Sequence, residues 1–322
     1  MKSTEKIKKE ELIAFIPEKI IISSINYLVN PICRNAYGLE HEQDLECIAL
    51  FFTLDKNNPK SFFKPYYDYL PDLDIKIFPP EFPKEEQILY EEIDLDLFIG
   101  IHNHKIRSAY NDAVERILSE KNIKNSFEKF KYNFYIGQTR NFSRPNSKFS
   151  NLNSMVPFID LFNHDNNFNL DWEYSDQKKG FILKSVKDIE KDEELITTYG
   201  EINNMNLFND YGFTIKNNKY KTPIRIKLDV FKYTFYPSEE EKEIKKDILR
   251  ISKVLKEKYG FEKEKEKFIY ELMLNGLKEK LEKINLIKID NNLNIRNIVE
   301  EEIISISKYI NIIENYYLIN RF

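Results

Sequence analysis

Along this sequence apolar residues recur three and four positions apart in long stretches and gather into short runs elsewhere. That contrast predicts helices and strands in one chain. Glu11-Leu-Ile-Ala-Phe-Ile16 is a short apolar run stopped by Pro17 and followed by Lys19-Ile-Ile-Ile22, and the first fifty residues read as strand, turn and helix. Residues 41–54 have helical spacing, with Leu45, Ile48, Ala49 and Phe52 on one face. Pro65, Pro71, Pro79, Pro80 and Pro83 then punctuate an irregular stretch. Helical spacing returns over 84–98, 105–121 and 126–140, where Phe127, Phe130 and Phe134 share a side. Residues 141–153 are polar and turn-rich and read as a loop. From 155 to 212 the segments are short, with strands expected at 181–186 and 195–199 and a helix from Asn204.

The remaining hundred residues read as helical. Ser238 and Glu241 have capping-box spacing ahead of Ile244, Ile248, Ile251, Val254 and Leu255, and Gly260 suits the position just past the helix. Further helices are expected over 268–281 and 298–317. Asn217-Asn218 separates the mixed region from the helical one, so one domain is expected over 1–215, with a helical insertion at about 60–135, and a second over 222–322.

Composition narrows the functions open to such a chain. Only 8 of 322 residues are glycine, and no two stand within five positions of each other. Phosphate-cradling loops need clustered glycines, so Rossmann and P-loop enzymes are excluded. A formal net charge of −4 gives no electrostatic footprint for nucleic acid or anionic membrane. No apolar run approaches the roughly 20 residues of a membrane span, and the first residues do not form a secretion signal. Cys33 and Cys47 make no disulfide framework, which points to a reducing compartment, cytoplasmic or nuclear. His102 and His104 lack a third ligand at useful spacing, so no metal site is expected, and both read as solvated residues at a helix start.

The informative block is Met155-Val-Pro-Phe-Ile-Asp160-Leu-Phe-Asn163-His164, followed by Glu193-Glu-Leu-Ile-Thr-Thr-Tyr199-Gly200 and then Tyr211-Gly212-Phe213. Each piece alone reads as ordinary loop or core. The ordered series resembles the SET-domain protein methyltransferases, in the branch that includes the Rubisco large-subunit and actin-histidine enzymes. Ser61-Phe-Phe-Lys-Pro-Tyr-Tyr-Asp-Tyr-Leu-Pro71 is similar to that branch's Ser…Pro-Tyr…Leu-Pro segment, and Thr139-Arg140-Asn-Phe142 resembles its Ser-Arg-x-Phe helix end. The resemblance implies an α+β fold, a SET-type β-fold of short strands with a helical insertion, followed by an all-α carboxy-terminal domain that binds substrate.

It also implies S-adenosylmethionine as cofactor and a protein substrate, lysine before histidine as acceptor, with a monomer expected. Asn163 and His164 would hold the cofactor, and Arg140 would meet its carboxylate and approach the substrate. Asp160 would line the substrate side, Tyr199 would be the catalytic tyrosine, and Tyr211 would line the acceptor channel. Methyl transfer to an amine needs alignment, water exclusion and an uncharged nitrogen, so Tyr199 is expected to position the acceptor rather than act as a strong base.

The pattern departs from the family in three places. The Gly-x-Gly strand usual upstream of a Gly-Glu-Glu-Leu turn is missing before Lys8-Lys9-Glu10-Glu11-Leu12. Either the sequence begins short of that strand or cofactor binding is impaired, and the impaired form would be a SET-fold interaction module. Lys9 and Asp192 replace the glycines of two matching turns, Asp192 being the milder change because aspartate tolerates a positive φ. Thr139 and Tyr132 stand where the family has serine and tryptophan.

Overall fold

The run Gly180-Phe-Ile-Leu183, bounded by turns, has no polar face to leave in water and so forms the middle strand of a sheet. The computed structural model describes residues 1–23, 44–144, 152–228, 231–260, 266–287 and 292–318. In it the strand Gly180–Ser185 (β7) lies between β1 (Leu12–Pro17) and β6 (Leu170–Ser175), antiparallel to both. Pro17 ends β1 opposite Gly180, after which the chain makes a 3-10 turn, Glu18–Ile20, into β2 (Ile22–Ser23). Two units pack separately, one of residues 1–76 with 101–200 and the other of 77–100 with 201–322.

In the first unit, β2 pairs with β4 (Leu152–Met155), which pairs with β3 (Asn141–Arg144). Of the loop expected over 141–153, residues 141–144 and 152–153 are strand instead, while 145–151 lie outside the described residues. Their sequence is polar because only Phe142, Ser154 and Met155 among the described side chains are buried, so the pairing rests on backbone bonds and on Asn141, whose Nδ2 donates to Asn153 at 2.7 Å. A short parallel pair joins β5 (Asn163–His164) to β8 (Ile196–Thr197). The sheet core holds Ile16, Phe142, Ile159, Phe162, Phe181 and Leu195.

A second core in this unit is built by helices. Asp44–Asp55 packs on Ser126–Thr139, burying Ile48, Phe52, Phe130 and Phe134. The helical face expected over 41–54 is present from Asp44; residues 41–43 and Cys33 lie outside the described residues. His102 is not a solvated helix start. It sits inside the helix Leu95–Ala109, 6% exposed and stacked on Tyr135 at 5.0 Å, and burial pulls its pKa down to about 4.

The second unit carries an element the periodicity did not announce, a hairpin of β9 (Ile224–Leu228) and β10 (Phe231–Phe235) ahead of its helices. Ile224, Ile226 and Leu228 alternate with Arg225 and Lys227, so one face is buried and the other is charged. Helix Glu241–Tyr259 follows, burying Ile244, Ile248, Ile251 and Leu255, whereas Val254 is 42% exposed. The capping box does not form: Glu240 is the N-cap, and Ser238 Oγ accepts from the Glu240 amide instead. Gly260 ends the helix in the left-handed region at φ 63°, as expected. Helices Glu266–Asn285 and Leu293–Ile312 complete the core. Among the described residues no helix is long and apolar enough to cross a membrane.

Gly180 offers a test of the first unit's sheet. A Cβ there would fall against the Ile16 carbonyl oxygen, a backbone atom of the paired strand that cannot rotate aside. Gly180→Ala is expected to cost about 1–3 kcal/mol of stability. A thermal unfolding midpoint equal to wild type would refute this account of the β1–β7 pairing.

Candidate active site

The block from Met155 to His164 folds as a turn because it must carry two buried polar side chains past an apolar core. Pro157 is followed by Phe158 at φ 77°, ψ −50°, a conformation costly for a residue with a β-carbon. The chain then makes one 3-10 turn, Ile159–Leu161, which turns Asp160 inward, and runs out into β5 with Asn163 and His164.

Asp160 is 7% exposed and lies against Arg140. Arg140 is the residue that closes the helix Ser126–Thr139. Its Nη1 donates to the Asp160 carbonyl at 2.9 Å and lies 3.4 Å from Oδ2. The Tyr66 hydroxyl donates to the same Oδ2 at 2.5 Å. Burial raises the Asp160 carboxyl above its usual range, and Arg140 and the Tyr66 hydrogen bond oppose that rise. Two buried atoms of this cluster, Arg140 Nε and Asp160 Oδ1, have no hydrogen-bond partner among the described residues.

The parallel pairing of β5 with β8 brings Tyr199 alongside. Its amide donates to His164 Nδ1 at 3.1 Å, and its ring stacks on the imidazole with centroids 5.0 Å apart. Accepting at Nδ1 places the neutral ring's proton on Nε2, and burial lowers the His164 pKa so that the ring stays neutral. The Tyr199 hydroxyl donates to the Phe162 carbonyl at 3.0 Å. Trp172 braces the preceding residue, its Nε1 donating to the Thr198 carbonyl at 3.0 Å, while its ring meets Phe142 and Phe181. Burial pushes the Tyr199 phenol up to about 12, with the charges of Arg140 and Asp160 acting on it in opposite directions. At neutral pH it is a neutral, oriented hydroxyl.

Arg140, Asp160, Asn163, His164 and Tyr199 thus all belong to the first unit. Tyr211 belongs to the second, where it ends the helix Asn204–Tyr211 before Gly212 and lies 6.3 Å from the Phe213 ring. Asn163 is exposed, and its Nδ2 donates to Glu194 Oε1 at 3.0 Å.

The sequence reading passed over two side chains. Tyr66 lies inside the quoted segment Ser61–Pro71 and is told from Tyr67 only by the fold, since Tyr67 hydrogen-bonds Asp55 instead. Asn169, 2% exposed, holds residues 193–196 in place: its Nδ2 donates to the Glu194 carbonyl at 2.8 Å and its Oδ1 accepts from the Ile196 amide at 2.8 Å. In sequence Asn169 stands among polar neighbours, Asp165-Asn-Asn-Phe-Asn169-Leu-Asp171, so nothing local singled it out.

The two glycine-replaced turns also resolve. Asp192 holds φ 67°, as its tolerance of that region suggested. In the amino-terminal turn the left-handed residue is Glu10, φ 65°, and not Lys9, whose amide instead donates to Asp188 Oδ1 at 2.8 Å.

Residues 1–200 match the sequence model of the SET domain. The chain belongs to the SET-domain family. Among curated relatives, the protein-lysine N-methyltransferase EFM1 of Saccharomyces cerevisiae is 23% identical over 256 residues, 66% of this chain and 44% of that protein. The actin-histidine N-methyltransferase of Gallus gallus is 25% identical over 244 residues, 72% of this chain and 40% of that protein. The chain therefore spans less than half the length of these relatives. Among solved structures, the SET domain of LSMT bound to lysine and AdoHcy superposes with a TM-score of 0.70 at 16% identity, covering 98% of this chain and 84% of that one. Rubisco LSMT bound to AdoMet gives 0.62 at 17% identity, over 97% and 83%. These superpositions bear out the α+β SET architecture.

Proposed function

We propose that this SET-domain protein transfers a methyl group from S-adenosylmethionine to a side-chain nitrogen of a protein, and to lysine in preference to histidine. The observation that carries the reading is the half-buried Arg140 guanidinium, whose buried Nε has no partner among the described residues, beside a neutral, fixed tyrosine hydroxyl. A buried N–H without an acceptor is costly unless a ligand supplies one. A carboxylate fits, because the planar guanidinium fork matches it. When bound, S-adenosylmethionine supplies that carboxylate and an electrophilic methyl on a sulfonium.

The chain's own residues would then do five things. Arg140 holds the carboxylate end, and the β5 segment carrying Asn163 and His164 forms the bed for the rest. Tyr199 meets the acceptor nitrogen with a hydroxyl already oriented by Phe162, and its raised pKa keeps it a neutral phenol with no phenolate available as base, consistent with a positioning role. The buried Asp160 carboxylate favours an acceptor that arrives as a cation, which supports lysine over imidazole. Tyr211, by its place in the Tyr-Gly-Phe series, is proposed to line the acceptor channel. A protein substrate, a monomeric state and a cytoplasmic or nuclear site of action complete the proposal, as does the division into a SET domain over 1–215 and a substrate-binding domain over 222–322. The yeast lysine methyltransferase and the avian actin-histidine methyltransferase are relatives with activities of this class.

Isothermal calorimetry tests the reading. Wild type should bind S-adenosylmethionine, and Arg140→Ala should weaken that binding about 10- to 100-fold, the worth of a charge-assisted hydrogen bond. A folded wild-type protein that binds no S-adenosylmethionine would sink it.

A further inference from the structure

The Tyr66 hydroxyl is committed to one carboxylate oxygen, Asp160 Oδ2, from a helix 94 positions away in sequence. The same oxygen faces Arg140 Nη1, which the Asp160 carbonyl also engages. Besides Tyr66, the Asp160 carboxylate's rotation is restrained by the longer 3.4 Å contact from Arg140 Nη1, and Oδ1 has no partner among the described residues. Tyr66 itself is anchored by its backbone, its amide donating to the Phe63 carbonyl at 2.9 Å within the Pro65-containing helix Lys64–Tyr69. The helix thus delivers a rigid donor to a buried acid, and that acid orients the guanidinium.

We propose that Tyr66 is a positioning residue for methyl transfer. Its hydroxyl holds the Asp160 carboxyl group in one rotamer, and Asp160 in turn sets the Arg140 fork so that Nε and Oδ1 stay uncommitted within the protein. The proposal rests on the methyltransferase reading. Tyr66 touches neither cofactor nor acceptor in this scheme; it acts through Asp160.

A neutral donor to a carboxylate favours the ionised form, so its loss must raise the pH at which Asp160 takes up a proton. Carboxyl 13C NMR of aspartate-labelled protein, with the Asp160 signal assigned by Asp160→Asn, reads this directly and without any turnover. In Tyr66→Phe the Asp160 midpoint should rise by about one pH unit. The acidic limb of the kcat/KM profile should move up with it, and S-adenosylmethionine should bind about fivefold more weakly. In an Asp160→Asn background, Tyr66→Phe should change neither binding nor turnover further. Should Tyr66→Phe fail to fold, 3-fluorotyrosine at position 66 keeps the shape and strengthens the donor, and it should lower the midpoint.

An Asp160 midpoint that neither substitution moves overturns the proposal. A shifted midpoint with unchanged cofactor binding and an unchanged kcat/KM profile overturns it too. Wild-type protein that binds no S-adenosylmethionine overturns the methyltransferase reading, and the positioning role with it. Wild-type protein that binds, beside a Tyr66→Phe variant that behaves identically, removes Tyr66 alone.

Discussion

Replacing Lys280 by methionine is expected to remove about 3–5 kcal/mol of stability, the cost of stripping the cation from a buried ion cluster. Lys280 Nζ lies 3.1 Å from Glu302 Oε1 and 3.2 Å from Asp94 Oδ2, and all three side chains are less than a tenth exposed. Asp94 breaks the helical stretch expected over 84–98 by adopting φ 58°, and the cluster fastens that break to the helices of its own unit. Without the ammonium, two carboxylates remain in the interior, with the more exposed Lys232 3.4 Å from Asp94.

The deficit should also depend on pH. Burial raises the Glu302 pKa to about 7 from the ordinary 4.5. An acid raised in the folded state favours folding fully below its unfolded pKa, and that contribution is lost as pH rises through the folded value. Removing Lys280 raises Glu302 further, because the ammonium is what favours its ionised form. Urea unfolding should therefore show a smaller Lys280→Met deficit at pH 5 than at pH 8. Equal deficits at the two pH values would mean that Glu302 does not titrate with folding in this range.

Tyr199→Phe is the second change with a large expected effect. The phenol's bond to Phe162 is worth about 1 kcal/mol, so the variant should remain folded. Turnover on any acceptor protein that wild type methylates should fall on the order of 10²-fold, the penalty for losing alignment at the reacting nitrogen. Binding of S-adenosylmethionine should stay within about threefold, since the hydroxyl bonds the protein's own carbonyl and Arg140 is untouched. A variant that turns over at the wild-type rate would remove Tyr199 from the mechanism.

How far the site could be read in advance depended on whether its residues are neighbours in sequence. Asp160, Asn163 and His164 share one turn and one strand, and Tyr199 reaches them through a pairing of only two residues per strand. Such pieces are visible as motifs. Tyr66 was not, because five of the eleven residues in Ser61–Pro71 are aromatic and nothing local separates the one that meets Asp160 from the one that meets Asp55. In the fold, long amphipathic helices such as Glu241–Tyr259 declared themselves by spacing, since burial on one face leaves a periodic record. The β9–β10 hairpin did not, although Ile224-Arg-Ile-Lys-Leu228 alternates; five residues are a weak signal inside a lysine- and isoleucine-rich stretch. The strands β3 and β4 left still less trace, being held by backbone and by Asn141. At Asp94 a single left-handed residue divides what periodicity joins.

Trp172, whose indole is bonded to the carbonyl of the residue before Tyr199, is the one tryptophan in a chain with 20 tyrosines. Excited at the red edge, where tyrosine does not absorb, it gives the protein an intrinsic fluorophore placed one peptide from the catalytic candidate. Its emission wavelength and quenching report, with no label, on the surroundings it shares with Thr198, Phe142 and Phe181.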